Sequence, residues 1–371
     1  MRIAVLMIAI LTSALAVLAQ EQDNYLTLIR KVQVDPLGTL GAVDGCEFSK
    51  DGKMLSASDN HGVCRIYRVS DGKEVGKVTH NLLHNKKHHR DGEINAVPFS
   101  YDGQYLCTGR NRDGTKVWRT SDWGLEKHLI NNAETDGITF SPNKKWLAAA
   151  ANSNLNIYSL PNFELIKSIN HGKRGAVNSI SFSPDSSMVA YACSDGRLRI
   201  LKTDDWKLQQ TFSNHSNRSL KSTRFSPDGK YLAYSGGRQS CLVRQVSDWT
   251  VVADLVHKGN MKALPGDDND SDVKVEAVAW SKDGDYLFSS GVVDGVMRVW
   301  RSADWSLLTR VQAQEKNRAI EFIDVSIDNK VVVGGDEGVI YIYQFRPSNE
   351  KGNPGTQQSP AGDVLKAAPE E

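Results

Sequence analysis

Phe225-Ser226-Pro227-Asp228-Gly229-Lys230-Tyr231-Leu232-Ala233 is the stretch whose reading decides the fold. The run Thr223-Arg224-Phe225 ends at a serine; Asp228-Gly229 supplies residues that tolerate positive φ; an apolar run starts at Tyr231. Two such runs around Asp-Gly predict a β-hairpin. The phrase of an apolar residue, a variable one, an aromatic and Ser, followed by a turn, returns along the chain. It appears at Cys46-Glu47-Phe48-Ser49, Val97-Pro98-Phe99-Ser100, Ile138-Thr139-Phe140-Ser141, Ile180-Ser181-Phe182-Ser183, Val278-Ala279-Trp280-Ser281 and, with Val in the aromatic slot, Ile323-Asp324-Val325-Ser326.

Each hairpin opens onto more strand. Tyr105-Leu106-Cys107 and Tyr231-Leu232-Ala233 read as second strands; Arg65-Ile66-Tyr67, Lys116-Val117-Trp118, Asn156-Ile157-Tyr158 and Arg298-Val299-Trp300 alternate as third strands. Asp122-Trp123, Asp205-Trp206, Asp248-Trp249 and Asp304-Trp305 mark a further turn, and a fourth strand such as Leu307 to Val311 follows. Seven such units at a spacing of about 42 residues predict an all-β, seven-bladed β-propeller of four-stranded antiparallel blades. A single blade is apolar on both faces and buries them only by packing between neighbours. The seventh unit stops at Phe345, after its third strand, and Tyr25 to Val34 has the alternation of an outer strand. The N-terminal strand is therefore expected to close the last blade, which removes an open edge.

These residues resemble the WD40 repeat family from about Leu26 to Phe345, and Phe225 to Ala233 looks typical of it. The resemblance implies that the rim of the central channel is a partner-binding surface. It also implies an internal hydrogen-bond network, expected here to be weakened. Arg follows Trp118 and Trp300 where the family has Asp, and its Gly-His pair is missing, with His171 and His215 as the candidates for that histidine.

The expected organisation is a signal peptide over residues 1–19, the propeller over 20–345 and a disordered tail over 346–371, rich in Pro, Gly, Ser and Gln. Arg2 precedes a run from Ile3 to Leu18 that is apolar but for Thr12 and Ser13, and cleavage is expected before Gln20. This predicts a secreted protein, periplasmic in a bacterium, with no stable membrane insertion. Without Arg2, basic and acidic side chains number 44 each, so no net field draws the chain to nucleic acid. Of the five cysteines, Cys46, Cys64, Cys107 and Cys241 share repeat slots with small apolar residues and read as buried thiols; Cys193, at a strand end, reads as exposed. Tyr67, Trp118, Tyr158, Trp300 and Tyr343 share one slot and read as core.

Two connectors are oversized: Phe48 to Phe99 spans 51 positions and Phe225 to Trp280 spans 55, against 41 to 45 elsewhere. Loops inserted on a rigid frame are places for function. Residues 80–93 hold His80, His84, His88 and His89 among Lys86, Lys87 and Arg90; His84 and His88 are metal-ligand candidates beside the simpler reading of a solvated basic loop. Residues 258–275 hold Asp268, Asp270 and Asp272, an alternation resembling the start of a calcium loop, although Val273 stands where such a loop needs Gly. No cofactor is expected, with calcium as the possible exception. Asn214, Asn217 and Asn269 begin glycosylation sequons.

One aligned slot, four residues before the repeated aromatic, is polar in all seven units: Asp44, Asn95, Asp136, Asn178, Lys221, Glu276 and Glu321. These side chains are expected to ring the top mouth of the channel, where four acids favour a cationic group. No nucleophile elbow, zinc-binding helix or phosphate loop occurs. The expected function is a secreted, non-catalytic binding scaffold for a protein or other extracellular ligand. The alternatives are a propeller enzyme of lactonase, hydrolase or lyase type with a metal at the channel mouth, and a structural component of extracellular matrix.

Overall fold

A computed structural model describes residues 25–34, 42–80, 93–130, 133–172, 175–213, 219–236, 240–257, 275–291, 294–314 and 318–347. The recurring serine explains itself at the first turn of each blade. The Ser226 hydroxyl donates to Asp228 Oδ1 (2.6 Å) and accepts the Tyr231 N–H (2.9 Å). The same knot forms at Ser49, Ser100, Ser141, Ser183, Ser281 and Ser326, with Asn143 as acceptor in the third unit. All seven serines are buried. A buried hydroxyl that both donates and accepts stabilises the hairpin without leaving a desolvated polar atom unpaired.

The hairpins build seven four-stranded antiparallel sheets, six of them in chain order from the inside out. Blade 1 spans 43–79, blade 2 94–130, blade 3 138–170, blade 4 177–213, blade 5 220–256 and blade 6 275–312. Blade 7 takes its first three strands from 320–345 and its outer strand from Leu26–Gln33, which pairs antiparallel with Val339–Phe345. The seven-bladed propeller closed by an N-terminal strand is thus the observed fold. The ring shuts where the innermost strand of blade 1, Val43–Phe48, lies against that of blade 7, Ile320–Val325.

Packing between blades makes the core. Ala148, Ala150, Leu155 and Ile157 of blade 3 form one buried cluster with Val177, Ile180, Phe182 and Val189 of blade 4. Each of the larger of these side chains, the Val, Leu, Ile and Phe, contributes about 1.5–3 kcal/mol on burial. A second set of contacts staples the seams. Trp123, Phe163, Trp206, Trp249 and Trp305 all sit at the turn before the outer strand with φ between 56° and 63°. A left-handed conformation costs an L-residue about 1–2 kcal/mol. Each ring recovers part of that on the preceding blade: Phe163 on Tyr105, Trp206 on Trp146, Trp249 on Phe212 and Trp305 on Tyr231, with centroids 5.1–5.7 Å apart. Trp123 Nε1 donates to Val75 O across the same kind of seam. The closing blade differs. Phe345 packs edge-on against Tyr286 of blade 6 (5.0 Å), and blade 1 has Gly72 at this turn, over which Arg30 of the N-terminal strand donates to Asp71 O and Ser70 O.

Two expectations need correction. Cys193 is fully buried, because it pairs with Val177 across the hairpin and packs beneath Leu155 and Ile157; all five cysteines are free and buried. The internal network is also intact in blades 2 and 6. His80 shares Thr108 Oγ1 with Trp118 (2.6 and 2.8 Å), and its Nδ1 meets Asp113 Oδ2 at 2.8 Å. His257 shares Ser289 Oγ with Trp300 (2.7 and 2.8 Å) and contacts Arg298, which is paired with Asp294. Burial, reinforced for His80 by Lys116 and Arg110, pushes that imidazole down to about 4, so it is neutral. Burial also opposes ionisation of Asp113, but hydrogen bonds from His80 and Lys116 outweigh it and hold the carboxyl below its ordinary range. His171 does not take this place: its Nε2 is buried beside the Tyr191 ring with no hydrogen-bond partner among the described residues. His80 is therefore structural, although it opens the histidine-rich connector.

Candidate functional site

The polar slot gains its position from a backbone irregularity. On the innermost strands the register with the second strand slips between Val43 and Gly45, Ile94 and Ala96, Val177 and Ser179, Leu220 and Ser222, Val275 and Val278, and Ile320 and Phe322. The residue inside each slip includes Asp44, Asn95, Asn178, Lys221, Glu276 or Glu321. A bulged residue has no cross-strand partner and leaves the in–out alternation, so its side chain is re-aimed. Asp136 reaches the same level two residues ahead of the strand Ile138–Phe140.

Six of the seven residues, Asn95, Asp136, Asn178, Lys221, Glu276 and Glu321, line one central cavity of about 90 Å³. Asp44 is the exception and corrects the expected ring of seven. It is 5% exposed and lies behind the mouth. Gly45 has no side chain to hold blade 2 away; a Cβ there would meet Ser58 Oγ at 2.9 Å and Ile94 O at 3.2 Å. Ser58 Oγ donates to Ile94 O (2.7 Å), drawing the two blades together beside Asp44. Asp44 Oδ2 has no hydrogen-bond partner among the described residues.

The mouth divides into unlike halves. Across blades 2 to 5, neighbours satisfy one another: Asn95 Nδ2 donates to Asp136 Oδ1 (2.7 Å), and Asn178 Nδ2 donates to Ser219 Oγ (2.9 Å) and Leu220 O (2.6 Å). Across blades 6, 7 and 1, carboxylates face carboxylates. Glu276 has Lys221 at 3.8 Å, and Glu321 receives no hydrogen bond among the described residues. Burial, and then the charges of Glu321, Glu93, Asp59 and Asp336, push the Asp44 carboxyl up to about 9. Burial, followed by Asp336, Glu276 and Glu93, pushes Glu321 up to about 7 against the pull of Lys221. Asp136 rises only to about 6, because Asn95 and Lys221 oppose burial and Glu134.

Deeper in the cavity stand Glu47, Arg224 and Asp324. Asp324 accepts the Phe48 N–H (2.8 Å), Lys50 pairs with Glu47 (2.5 Å), and Arg224 donates to Ser179 Oγ (3.2 Å). The aligned slot does not reveal these three, nor Glu93 and Asp336. The alternation of the inner strand carries a signal for the first group, since each stands one residue before the repeated aromatic or its Val equivalent. Among the described residues, no group of three or more His, Cys, Asp or Glu is placed to hold a metal ion. His84, His88, Asp268, Asp270, Asp272, Asn214, Asn217, Asn269, the apolar N-terminus and most of the tail lie outside the described residues.

The family model for the "WD domain, G-beta repeat" matches residues 80–119, 163–201, 206–244 and 261–301. Each match contributes the three inner strands of one blade, namely blades 2, 4, 5 and 6. Among curated proteins, the chain is similar to the small ribosomal subunit protein RACK1y of Oryza sativa subsp. japonica, 28% identical over 35% of this chain and 40% of that protein. It is 26% identical to pre-mRNA-processing factor 19 homolog 2 of Arabidopsis thaliana, over 41% of this chain and 28% of that one. It is 30% identical to the small ribosomal subunit protein RACK1 of Schizosaccharomyces pombe, over 29% and 37%. The chain thus spans less than half the length of each of these relatives.

These relatives overturn the expected secreted or periplasmic location, since ribosomal and pre-mRNA-processing proteins are intracellular. That expectation rested on a single apolar run, which is a compositional signal only. Five buried free thiols accord better with a reducing compartment. The glycosylation and extracellular-matrix readings depended on export and are not carried further.

Proposed function

The chain is a WD40-repeat β-propeller, and from that premise we propose that it works as a non-catalytic scaffold that binds protein partners across the channel mouth. One observation carries the proposal. On a frame whose turns and seams repeat, the slot presents four kinds of side chain (Asp, Asn, Lys and Glu) from seven blades, and its charge is distributed unevenly around the ring. A surface that varies on a repeated scaffold is suited to specific recognition. The similarity to RACK1 and pre-mRNA-processing factor 19 proteins supports the same reading.

Cross-linking of the full chain in a cell extract, read by mass spectrometry, tests it. Lys221 stands at the mouth and is 43% exposed, while Lys77, Lys127 and Lys167 are exposed on outer strands. Partner cross-links are expected to concentrate on Lys221. Cross-links confined to the outer-strand lysines would overturn the proposal.

A further inference from the structure

We propose that the lower edge of blade 3, at the end of the ring opposite the channel mouth, is a docking surface for a short acidic segment of a partner protein that also carries an aliphatic side chain. The surface is separate from the mouth. Asp136 stands at the entry to the innermost strand of this blade, Ile138–Phe140, and the turn from Ser141 to Lys145 lies beyond its exit.

Two independent observations point to such a ligand. The first is a cation that has lost its counter-ion. Four blades carry a lysine four residues after the knot serine. Lys53, Lys230 and Lys330 each pair with the aspartate of their own turn, Asp51, Asp228 and Asp328. Lys145 is the fourth, and in its turn Asn143 takes the place of the aspartate. Asn143 Oδ1 still accepts the Ser141 hydroxyl (2.8 Å) and the Lys145 N–H (3.0 Å), so the knot is kept and only the charge is gone. Lys144 stands beside it with φ at 62°, a left-handed position that is glycine in four other blades. The second turn of blade 3 repeats the change: Asn162 stands where other blades have Asp71, Asp122, Asp205, Asp248 and Asp304. Lys144 and Lys145 are both exposed, and neither has an ion-pair partner among the described residues.

The second observation is apolar surface. Leu165 and Ile166, 56% and 44% exposed, are the one adjacent pair of exposed large apolar residues among those described. Leu165 pairs with Tyr158 and Lys167 with Ile157, which leaves Ile166 in a bulge and out of the alternation that separates neighbours onto opposite faces. The two features adjoin. Leu160 N donates to Lys145 O (2.8 Å), which joins the turns. Trp146 pairs with Ser159 and Ser159 with Glu164, so the start of the outer strand lies two strands out from the lysines, roughly 10 Å at ordinary strand spacing. An extended segment rises about 3.3 Å per residue, so an acid and an aliphatic residue three apart span that distance.

The chemistry selects among occupants. Over residues 141–146 and 159–166, Glu164 is the one acid, whereas the turns of blades 2 and 4 on either side carry Asp102, Asp122, Asp185, Asp204 and Asp205. A nucleic-acid backbone or an anionic bilayer laid over the lysines would also run onto those acids. A segment confined to one blade avoids them. A purely apolar occupant would desolvate the two ammonium groups without pairing them, and a purely acidic one would leave Leu165 and Ile166 in water. A segment with both groups answers both halves of the surface.

The probe is a fluorescent peptide of three Glu-Gly-Ser-Leu repeats. Its counterparts are Gln-Gly-Ser-Leu repeats, which lack the charge, and Glu-Gly-Ser-Ser repeats, which lack the aliphatic group. Titrated into the full chain, the first peptide is expected to bind at least about tenfold tighter than either counterpart. Lys144→Gln with Lys145→Gln, and separately Leu165→Ser with Ile166→Ser, are each expected to weaken it by at least about tenfold. Asn143→Asp supplies the aspartate that six other blades carry and returns a partner to Lys145; it is expected to weaken binding by at least about threefold. Lys230→Gln with Lys330→Gln removes equal charge from the same turn of blades 5 and 7 and is expected to leave affinity within about twofold. Circular dichroism confirms that each variant is folded. Equal binding of the three peptides, no binding of the first to folded protein, unchanged affinity in Asn143→Asp, or equal losses from the two lysine pairs overturns the inference. So does an oligouridine RNA or a phosphatidylserine vesicle that displaces the peptide and ceases to bind when Lys144 and Lys145 are replaced. None of these variants lies at the channel mouth, so such a failure leaves the scaffold reading to its own test at Lys221.

Discussion

The two halves of the channel mouth occupy equivalent positions on equivalent strands, yet they solve the same electrostatic problem in opposite ways. Across blades 2 to 5, each bulged side chain finds its partner on the next blade: Asn95 on Asp136, and Asn178 on Ser219 and the Leu220 carbonyl. Across blades 6, 7 and 1, the same slot holds Glu276, which has Lys221 at 3.8 Å, and Glu321 and Asp44, on which other acids bear most strongly. The first half is finished by its own seams and contributes to holding the ring together. In the second half Asp44 and Glu321 receive no hydrogen bond on their carboxyls among the described residues, at the expense of stability. The fold is thus common to both halves, and the difference lies in which polar groups the sequence leaves unanswered.

If this contrast is right, neutralising the acidic half should stabilise the empty protein. The largest effect is expected from Asp44→Asn. The carboxyl, 3.8 in its ordinary state, stands near 9 in the folded protein. Between those values the folded state binds more protons than the unfolded one, so this group's contribution is fully present below 3.8 and is lost as pH rises toward about 9. Asp44→Asn removes that loss. The thermal midpoint at pH 8 should rise by roughly 2–6 °C, while the midpoint at pH 4 should move little. A midpoint that falls at pH 8 would mean that Asp44 is held by a donor in the free protein, and the contrast would fail. In the finished half the sign reverses. Asn178→Ala removes two donations across the seam between blades 4 and 5 and should cost about 1–2 kcal/mol in urea unfolding, with no dependence on pH between 5 and 8.

Which part of this picture could be read from the sequence follows from the range of the forces involved. The blade count and the closing strand were legible because their causes are local. Ser226, Asp228 and Tyr231 tie their own turn, and Leu26 to Gln33 carries its alternation on its face. The polar slot was legible too, since the repeat aligns it. Its pairing was not, because the partner of Asn95 lies 41 residues away on another blade. The burial of Asp44 depends on how closely Gly45 lets Ile94 approach, a fact of packing between blades. His80 and His257 escaped recognition for a related reason. Their connectors to the next inner strand are long and unequal, so no fixed spacing marks them, although their partners Thr108, Trp118, Ser289 and Trp300 sit in register. Where Thr or Ser with Trp is absent, volume is exchanged across the hairpin: blade 4 has Tyr191 opposite Ile180 and Arg199, with Leu201 in the Trp slot. Such an exchange is visible only once the strands are paired.

Lys221 stands at the boundary of the two halves, and its removal is expected to have the smallest effect and the most discriminating one. Its ammonium is 3.8 Å from Glu276 and 43% exposed, so the ion pair itself should contribute less than about 1 kcal/mol. The same charge pulls down both Glu321, which stands near 7, and Asp136, which stands near 6. Lys221→Met should therefore raise both carboxyls while changing the thermal midpoint at pH 5 by only about 1–2 °C. Carboxyl titration followed by isotope-edited NMR reads the two sites separately. Asp136 retains the Asn95 hydrogen bond, which keeps favouring its ionised form, and should move less; Glu321 has only repulsive neighbours left and should move more. Equal shifts at the two residues would show that one continuous field governs the ring, and the division into a finished and an unfinished half would have no energetic meaning.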